Sequence, residues 1–569
     1  MAADILVPKA DSYVCGISDM PLLGETIGRS LDRARARWGE REALVSPSHN
    51  VRWTWNEFAC RVEALAAGFL ALGLQRGERI GIWSLNRPEW TLTQFAAAKA
   101  GLILVTINPA YRLSELEFAL GKVGCAAIVT ATAFKTSAYM EMLNTLLPEL
   151  ASSEPGHLRS ARLPQLRAVI QIGGPAAPGT IPFDAVAQMG GERHREQLAA
   201  LGESLQFDDP VNIQFTSGTT GSPKGVTLTH HNILNNGYFT GRAMRLTEQD
   251  RICIPVPLYH CFGMVMGNLA SVTLGTAMVY PGEGFDPLAT LTTVAQERCT
   301  TLYGVPTMFI AELDHPDFAR FDLSSLRTGI MAGAPCPIEV MKRVNTEMNM
   351  REVTIAYGMT ETSPVSFQSA TDDPLERRVS TVGRIHPHVE VKVVDLDGKV
   401  VPRGERGELC TRGYSIMLGY WDEKEKTSDV LDANGWMHTG DLAVIDDEGY
   451  CNIVGRIKDM VIRGGENLYP REIEEFLYRH PKIQDVQIFG VADERYGEEL
   501  CAWVRTRQGE TLTADELRAF CHGQIAHNKI PRYVEFVDEF PMTVTGKIQK
   551  FVMRDAVERR LGLKASKTA

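Results

Sequence analysis

Short apolar runs alternate with amphipathic stretches from Arg79 onward. The runs ERIGIW, LILVTI and CAAIVTA have the length and composition of buried strands, and the intervening PEWTLTQFAAAKAG and LSELEFALGKVG have helical spacing. Such alternation is typical of a mostly parallel sheet covered by helices. Similar strands return after Val211, in RICIPVP, TAMVYP, TTLYGVP, LRTGIMAG and EVTIAYG. The sequence therefore predicts an α/β fold that binds ligands at the carboxyl ends of its strands.

A different pattern begins near Val379 and extends to Ile462. This region is rich in β-forming residues and carries hairpin signals at Asp397-Gly398 and Glu448-Gly449. It predicts a small barrel or sheet.

The end of the chain has the pattern of a separate unit. Beyond Arg456, a helix opens at Pro470, and a later helix carries a capping box formed by Thr513 and Glu516. These signals predict a compact α+β unit of roughly 110 residues. We therefore predict a large N-terminal domain at residues 1–457 and a small C-terminal domain at residues 458–569.

Composition narrows the class of protein. The 569 residues include 59 Lys and Arg against 70 Asp and Glu, a formal net charge of −11, which gives no broad attraction to nucleic acid or anionic lipid. The 11 cysteines form no CxxC pair, which favours reduced thiols over a disulfide framework or structural zinc. Asp4 and Asp11 stand where a secretory leader needs a basic start and an apolar run. We therefore expect a cytoplasmic protein.

Residues 252–282 contain no Lys, Arg, Asp or Glu and are long enough to span a bilayer. They also contain Pro255, Pro257, His260 and Asn268. These residues favour strand, loop and buried helix in a core over a transmembrane segment.

Residues 215–225, FTSGTTGSPKG, lie between two predicted strands. The glycines let the backbone approach an anion closely, the hydroxyls offer hydrogen bonds, and Lys224 adds a positive charge. This combination suits a polyphosphate, although the spacing is not that of a Walker A loop. A flexible surface loop rich in Ser, Thr and Gly is the alternative.

Two further clusters follow predicted strands. Tyr357 ends one strand and could stack on a base, while Thr360 and Glu361 could hold a phosphate and a hard cation such as Mg²⁺. Asp441, in the turn WMHTGD, could accept hydrogen bonds from a ribose. The alternatives are packing and solvation for the first cluster and simple turn formation for Asp441.

Taken together, these segments resemble a known family. TSGTTGSPKG, YGMTETS, TGD, GRIKDMVIRGGENLYP and TVTGKIQK occur in the order seen in the adenylate-forming superfamily, which includes acyl-CoA synthetases, adenylation domains of peptide synthetases and luciferases. PVPLYHCFG, YGVPTMF, RGYSIMLGYW and GKIQKF are most similar to the medium-chain acyl-CoA synthetases of the family member 2 group and their bacterial relatives.

The resemblance implies a nucleotide site. Tyr357 would stack on adenine, Thr360 would contact the α-phosphate and Glu361 would hold Mg²⁺. Asp441 and Arg456 would bind the ribose hydroxyls. The β- and γ-phosphates would be bound by Thr216, Ser217, Gly218, Thr219, Thr220, Gly221, Ser222, Pro223 and Lys224.

The resemblance also implies a mobile C-terminal domain. Lys547, on the mobile small domain, would bridge the attacking carboxylate and the α-phosphate, and Lys458 falls at the family's hinge. The catalytic residues implied are Lys547, Thr360, Glu361 and Lys224. His260 and Gly333 would line the acyl pocket, and Gly464 and Gly465 would form a tunnel for CoA.

The activity implied is ATP-dependent acid:CoA ligation. A fatty acid, expected to be of medium length, would be activated as acyl-AMP with release of pyrophosphate and then transferred to CoA. ATP, Mg²⁺ and coenzyme A are the expected cofactors and co-substrates, and small molecules the expected partners. The alternatives are an enzyme that loads a carrier protein, a ligase for aryl or branched acids, and a non-catalytic nucleotide-binding protein. Monomer and homodimer are both left open.

Overall fold

A computed structural model describes residues 10–216, 223–334, 336–464, 466–493, 495–543 and 548–563. Its strands are β1 (Tyr13–Cys15), β2 (Glu42–Ser46), β3 (Val51–Thr54), β4 (Arg79–Trp83), β5 (Ile103–Thr106), β6 (Cys125–Thr130), β7 (Ala133–Phe134), β8 (Ser137–Ala138), β9 (Ala168–Gln171), β10 (Ile181–Pro182), β11 (Pro210–Thr216), β12 (Lys224–Thr229), β13 (Arg251–Cys253), β14 (Ala277–Val279), β15 (Thr301–Gly304), β16 (Thr328–Ala332), β17 (Glu352–Gly358), β18 (Val365–Gln368), β19 (Arg384–Ile385), β20 (Val389–Val394), β21 (Gly407–Gly413), β22 (Gly419–Tyr420), β23 (Met437–Ile445), β24 (Cys451–Arg456), β25 (Val461–Arg463), β26 (Glu466–Leu468), β27 (Ile483–Asp493), β28 (Gly497–Thr506) and β29 (Tyr533–Phe536).

Its α-helices are α1 (Ile27–Trp38), α2 (Trp55–Ala71), α3 (Pro88–Lys99), α4 (Leu113–Val123), α5 (Tyr139–Leu146), α6 (Phe183–Met189), α7 (Glu192–Ser204), α8 (His230–Ala243), α9 (Ala270–Leu274), α10 (Pro287–Glu297), α11 (Pro306–Leu313), α12 (Ile338–Glu347), α13 (Leu375–Ser380), α14 (Lys424–Ser428), α15 (Pro470–Leu477), α16 (Ala514–Cys521) and α17 (Lys550–Leu561).

The first large sheet has the order β10-β9-β6-β4-β5-β11-β12-β22. Strands β10 to β11 run parallel, and β12 and β22 add antiparallel partners at one edge. The apolar runs of β4, β5 and β6 and the helical patterns of α3 and α4 fall where the sequence predicts them. The α/β fold class is confirmed.

The second large sheet has the order β19-β18-β17-β16-β15-β13-β14-β2-β3. Its six central strands, β17 to β2, are parallel. Five of these six come from the apolar runs after Val211, and the sixth, β2, comes from near the start of the chain. Since the central strands share one direction, their carboxyl ends lie along one edge, where Tyr357 is the last residue but one of β17.

The β-rich region forms an antiparallel sheet of order β1-β20-β21-β23-β24. Gly398 (φ +78°) and Gly449 (φ +84°) lie in the turns that the sequence predicts, in a backbone conformation that favours glycine. The edge strand β1 pairs with β20, from Tyr13 opposite Lys392 to Cys15 opposite Glu390. Residues near the chain start, for which the sequence offers no role, therefore complete this sheet.

Buried aromatic side chains pack helices α2 and α3 against the first two sheets. Trp55, Phe58 and Phe95 are fully buried, and the rings of Phe58 and Phe95 meet edge to face at 5.3 Å. Helix α2 starts at a capping box in which Thr54 and Glu57 satisfy each other's backbone N–H groups. Burying one such aromatic side chain contributes about 2 kcal/mol.

The smaller C-terminal part has its own sheet, in which β25 lies between β26 and β28 and β28 also pairs with β27 and β29. Helix α15 packs Ile473 and Leu477 on Val486 of β27. A 3-10 turn, Ile457–Asp459, joins β24 of the preceding sheet to β25. The domain boundary at residue 457 remains a prediction.

The uncharged stretch at residues 252–282 forms β13, a π-helix at Phe262–Leu269, α9 and β14. All eight residues of the π-helix are buried. Among the helices that the structure describes, none combines the length and the apolar character needed to cross a bilayer.

Candidate active site

The two ends of the predicted phosphate loop are held side by side. Thr216 ends β11 and lies opposite Lys224, which starts β12, in an antiparallel register. Pro223 precedes Lys224 directly. The loop residues between them, Ser217, Gly218, Thr219, Thr220, Gly221 and Ser222, lie outside the described residues.

Tyr420 contacts both Lys224 and Glu361. The Lys224 Nζ lies 4.6 Å from the centre of the Tyr420 ring, and the Tyr420 hydroxyl donates to Oε1 of Glu361 at 2.9 Å. Burial, and then the Glu361 charge, raise the pKa of Tyr420, so this hydroxyl stays protonated and donates. Tyr420 lies on β22, next to β12, and was not singled out from the sequence. Its only signal was its place in the phrase RGYSIMLGYW.

A second group joins Tyr357, Asp441 and Arg456. The Tyr357 hydroxyl donates to Oδ2 of Asp441 at 2.5 Å, and Nε of Arg456 donates to Oδ1 at 3.0 Å. Burial and the Asp441 charge raise the pKa of Tyr357, and the same carboxylate raises the pKa of Arg456. The Asp441 side chain is 6% exposed and that of Arg456 59%, so the carboxylate is enclosed while the guanidinium reaches solvent.

The two residues before Asp441 fix its position beside Tyr357 and Arg456. The Thr439 hydroxyl accepts from the Asp441 N–H at 3.1 Å and donates to the Leu409 carbonyl at 2.7 Å. Between them Gly440 has φ +70°, a value that glycine adopts readily. Residues 439–441 lie within β23, at an irregularity in its pairing with β21, and not in the turn that the sequence predicts. In this position Asp441 lies directly opposite Arg456 of β24.

One short segment connects the two groups. After Tyr357, the chain makes a 3-10 turn at Thr360–Thr362, and the Glu361 carbonyl accepts from the Met417 N–H at 3.0 Å. Thr360 and Glu361 are each 6% exposed. The structure thus brings an aromatic ring, a hydroxyl and two carboxylates to the carboxyl end of β17, beside the lysine that follows the predicted phosphate loop.

The residues assigned to the acyl pocket lie around β15. His260 caps the π-helix, because its Nδ1 accepts from the Phe262 N–H at 3.2 Å. Phe262 stacks on Tyr303 at 5.7 Å, and the Tyr303 hydroxyl donates to the Met266 carbonyl at 3.0 Å.

Gly333, the other residue assigned to the acyl pocket, follows β16. Its φ is +87°, and a Cβ there would lie 3.3 Å from Cγ1 of Val305. Any larger residue would therefore be strained and crowd Val305. Gly333 therefore borders Val305, which lies between β15 and α11, and His260 contacts Phe262, which stacks on Tyr303 of β15.

The residues assigned to the hinge and the CoA tunnel lie in the C-terminal part. Lys458 is in the 3-10 turn Ile457–Asp459. Gly464, with φ +59°, borders an open cavity of about 380 Å³. Gly465 and Lys547 lie outside the described residues. The other side chains that line this cavity are Arg463, Glu466, Tyr496, His527 and Asn528.

Comparison with known proteins defines the class of this protein. Residues 31–421 match the family described as AMP-binding enzyme, and residues 472–547 match the AMP-binding enzyme C-terminal domain. The chain belongs to the AMP-binding enzyme family, and the resemblance noted in the sequence is confirmed.

Two similar relatives cover nearly the whole chain. The chain is 50% identical to the "Medium-chain acyl-CoA ligase ACSF2, mitochondrial" of Danio rerio, over 97% of this chain and 91% of that protein. It is 48% identical to the "Putative acyl-CoA synthetase YngI" of Bacillus subtilis, over 96% and 99% of the two chains.

Solved structures share the fold. The anthranilate CoA ligase AuaEII in complex with anthranoyl-AMP has a TM-score of 0.84 at 25% identity, over 96% of this chain and 99% of that one. ATP-bound MatB from Rhodopseudomonas palustris has a TM-score of 0.80 at 27% identity, over 93% and 99%.

Proposed function

We propose that the protein is an ATP-dependent acid:CoA ligase that acts on a medium-chain fatty acid. The observation that carries this proposal is the near-full-length identity of 50% and 48% to proteins named as an acyl-CoA ligase and an acyl-CoA synthetase. The site is consistent with it, because the groups suited to a nucleotide converge at the end of β17.

The first half-reaction must bring a carboxylate to a phosphate. Two unit charges 4 Å apart repel by about 4 kcal/mol at an effective dielectric of about 20, so cationic groups must offset this. Lys224 and the loop residues 216–223 would hold the β- and γ-phosphates of the leaving pyrophosphate. Lys547 would bridge the attacking carboxylate and the α-phosphate, which Thr360 would also contact.

Asp441 and Arg456 would bind the ribose, and Tyr357 would stack on adenine. The Tyr357 hydroxyl donates to Asp441, so base and ribose recognition are linked through one hydrogen bond. Arg456 donates to one oxygen of this carboxylate, and hydrogen bonds from the ribose hydroxyls to a charged acceptor would be strong.

The residues at Glu361 fit a magnesium ion. Mg²⁺ prefers hard oxygen ligands, and the Glu361 carboxylate is enclosed and follows Thr360 directly in the chain. Glu361 would hold the ion, which would supply positive charge at the phosphates. Tyr420 would keep Glu361 in place through its hydrogen bond to Oε1.

The second half-reaction needs a thiol delivered to acyl-AMP without water. We propose that the small domain turns about Lys458, withdraws Lys547 and brings Gly464 and Gly465 to form a tunnel for CoA. A free thiol has a pKa of about 8.5, so a few per cent is thiolate at neutral pH, and the mixed anhydride is reactive enough to need no strong base.

The proposed substrate class follows from the residues assigned to the acyl pocket. Phe262, Tyr303 and Val305 present apolar surface near His260 and Gly333, which favours a hydrocarbon tail over a second carboxylate or an amine. One methylene changes discrimination by only about 1 to 3 kcal/mol, so aryl and branched acids belong in the same test.

Location and assembly are part of the proposal. We expect the protein in the cytoplasm, although the Danio rerio relative is named mitochondrial. Its partners would be the acid, ATP and CoA, and the assembly would be a monomer or a homodimer, which light scattering distinguishes.

The test supplies MgATP, CoA and a panel of acids from C4 to C18, including aryl and branched acids. We expect AMP, pyrophosphate and an acyl-CoA ester, with the highest kcat/KM for a medium-chain acid. Acyl-AMP without a CoA ester would favour the loading of a carrier protein. Pyrophosphate exchange that needs no acid, or no product with any acid, would refute the proposal.

A further inference from the structure

Three side chains converge on one face of the antiparallel sheet, outside the nucleotide site. Cys410 of β21 lies opposite His438 of β23, and Glu408 precedes Cys410 by two residues on the same strand. The Cys410 Sγ is 3.5 Å from Nδ1 of His438, and Oε2 of Glu408 is 2.8 Å from the same nitrogen. One atom of each side chain lies within 4.8 Å of the other two.

The geometry does not suit a nucleophilic triad. A Cys-His-acid triad uses both ring nitrogens, one toward the nucleophile and the other toward the acid. Here the thiol and the carboxylate both face Nδ1 of His438, which carries at most one proton. What the structure does give is three ligand atoms of different types within 4.8 Å of one another.

We propose that Glu408, Cys410 and His438 bind a divalent transition-metal cation of the zinc type. Thiolate, imidazole and carboxylate are the ligands of such cations. In a tetrahedral site with metal–sulfur and metal–nitrogen bonds of about 2.3 and 2.0 Å, sulfur and nitrogen lie about 3.5 Å apart. The 3.5 Å between Cys410 Sγ and His438 Nδ1 matches this distance. The nitrogen–oxygen distance must open from 2.8 Å to about 3.3 Å.

The surroundings orient the ligands. Oε1 of Glu408 accepts from the Gly440 N–H at 3.2 Å, which leaves Oε2 directed at His438. Cys410 is fully buried and packs with Trp436. The side chains of His438 and Glu408 are 34% and 22% exposed, so a cation can enter from their side.

The charges close to the site are mixed. Asp432 and Glu408 add negative charge near the thiol, and Lys392 adds positive charge. The Lys392 ammonium lies over the Trp436 ring, 4.6 Å from its centre. Binding releases the Cys410 proton to solvent and leaves a fourth position open to water.

This site differs from the structural zinc that the cysteine spacing argues against. It has three protein ligands from two strands, and the sheet around it is complete without a cation. An open position and partly exposed ligands indicate an exchangeable cation. His438 lies three residues before Asp441 on β23, and Glu408 accepts from the Gly440 N–H, so the cation would lie close to the part of β23 that positions Asp441.

The test uses Co²⁺ as a spectroscopic probe on the full-length protein after metal removal. The parent would be the Cys15→Ser/Cys60→Ser variant, which lacks the two cysteines that are exposed in the structure. We expect one equivalent of Co²⁺ to give a thiolate-to-cobalt charge-transfer band, and excess Zn²⁺ to remove it.

Two variants and one control assign the band. Cys410→Ser should abolish it, and His438→Gln should weaken Co²⁺ binding by at least about tenfold. Cys451→Ser is the matched control, because Cys451 is equally buried in the same sheet, on β24 next to β23, and it should keep the band. Circular dichroism checks that each variant is folded. Absence of the band in the parent, its persistence in Cys410→Ser or its loss in Cys451→Ser would overturn the proposal.

Discussion

Asp441→Asn tests the proposed nucleotide site most directly. The side chain is enclosed and accepts from Tyr357 at 2.5 Å and from Arg456 at 3.0 Å. Asparagine keeps the volume and can still accept from the Tyr357 hydroxyl through its single oxygen. Its amide then faces the Arg456 guanidinium, donor against donor, and the charge that would bind the ribose is lost.

The expected loss can be worked from these contacts. Each hydrogen bond to a charged group is worth about 1.5 to 3 kcal/mol, and a difference of about 1.4 kcal/mol changes an equilibrium tenfold. We therefore expect the KM for ATP to rise by about 10- to 150-fold, with a smaller change in kcat because the ribose is remote from the reacting phosphate. Because Arg456 is 59% exposed, water replaces its lost partner, and the effect on stability should be small.

The assay measures initial rates of pyrophosphate release at saturating acid over a range of ATP concentrations. Asp447→Asn is the matched control, since Asp447 is exposed in the turn just beyond the same strand. An unchanged KM for ATP in Asp441→Asn, with the control also unchanged, would refute the assignment of Asp441 to the ribose.

Three further predictions address the rest of the site and the fold. Lys547→Ala should slow acyl-AMP formation by more than about 100-fold, because it removes a charge stabiliser, yet leave thioester formation from added acyl-AMP nearly unchanged, as followed by single-turnover assays. Tyr420→Phe should lower kcat/KM for ATP about tenfold, because Glu361 loses a hydrogen bond. Burial lowers the pKa of His230 to about 4 from 6.5. The unfolded chain therefore takes up this proton first, and the free energy of unfolding falls by about 3 kcal/mol as the pH drops from 6.5 to 4, measured by urea unfolding.

Each of these has a contrary result. Equal loss of both half-reactions in Lys547→Ala would contradict a lysine that withdraws before the thiol step. Wild-type kinetics in Tyr420→Phe would show that the hydrogen bond from Tyr420 does not support the role proposed for Glu361. His230→Gln should flatten the pH dependence by about 3 kcal/mol, and an unaltered slope would assign that dependence to other groups.

The parallel strands of the two large sheets were predictable because a strand buried on both faces is a continuous run of apolar residues. Strands β4 to β6 and β13 to β17 are short apolar runs that end in polar loops, and period and length alone identify them. The pairing of β1 with β20 was not predictable, because Tyr13–Cys15 is only three residues long and its partner is far along the chain. The π-helix was not predicted either, since its apolar sequence also suits an α-helix.

In the candidate site, too, the sequence predicted some features and not others. Motif spacing singled out Tyr357, Glu361, Asp441 and Lys224. Of these, Tyr357 and Lys224 lie at strand ends as expected, whereas Glu361 lies in a 3-10 turn and Asp441 lies within β23. Spacing could not predict that the Tyr357 hydroxyl reaches Asp441, because the two residues belong to different sheets and meet only when those sheets pack together. Nor could it identify Tyr420, whose importance lies in contacts to Lys224 and Glu361 that are remote in sequence.

The π-helix at Phe262–Leu269 has an evolutionary consequence. A π-turn holds one residue more than an α-turn, so deleting a single codon from this stretch would restore ordinary helical winding. Since the wide turn absorbs the extra residue, the side chains before and after the turn keep their facing when that residue is lost, and the change is confined to the turn itself. Such a deletion would alter the packing around Phe262 and Tyr303 and leave the rest of the core in register. A difference of one residue in length is therefore expected at this point among relatives, whereas in an ordinary α-helix the same change would turn a buried face outward.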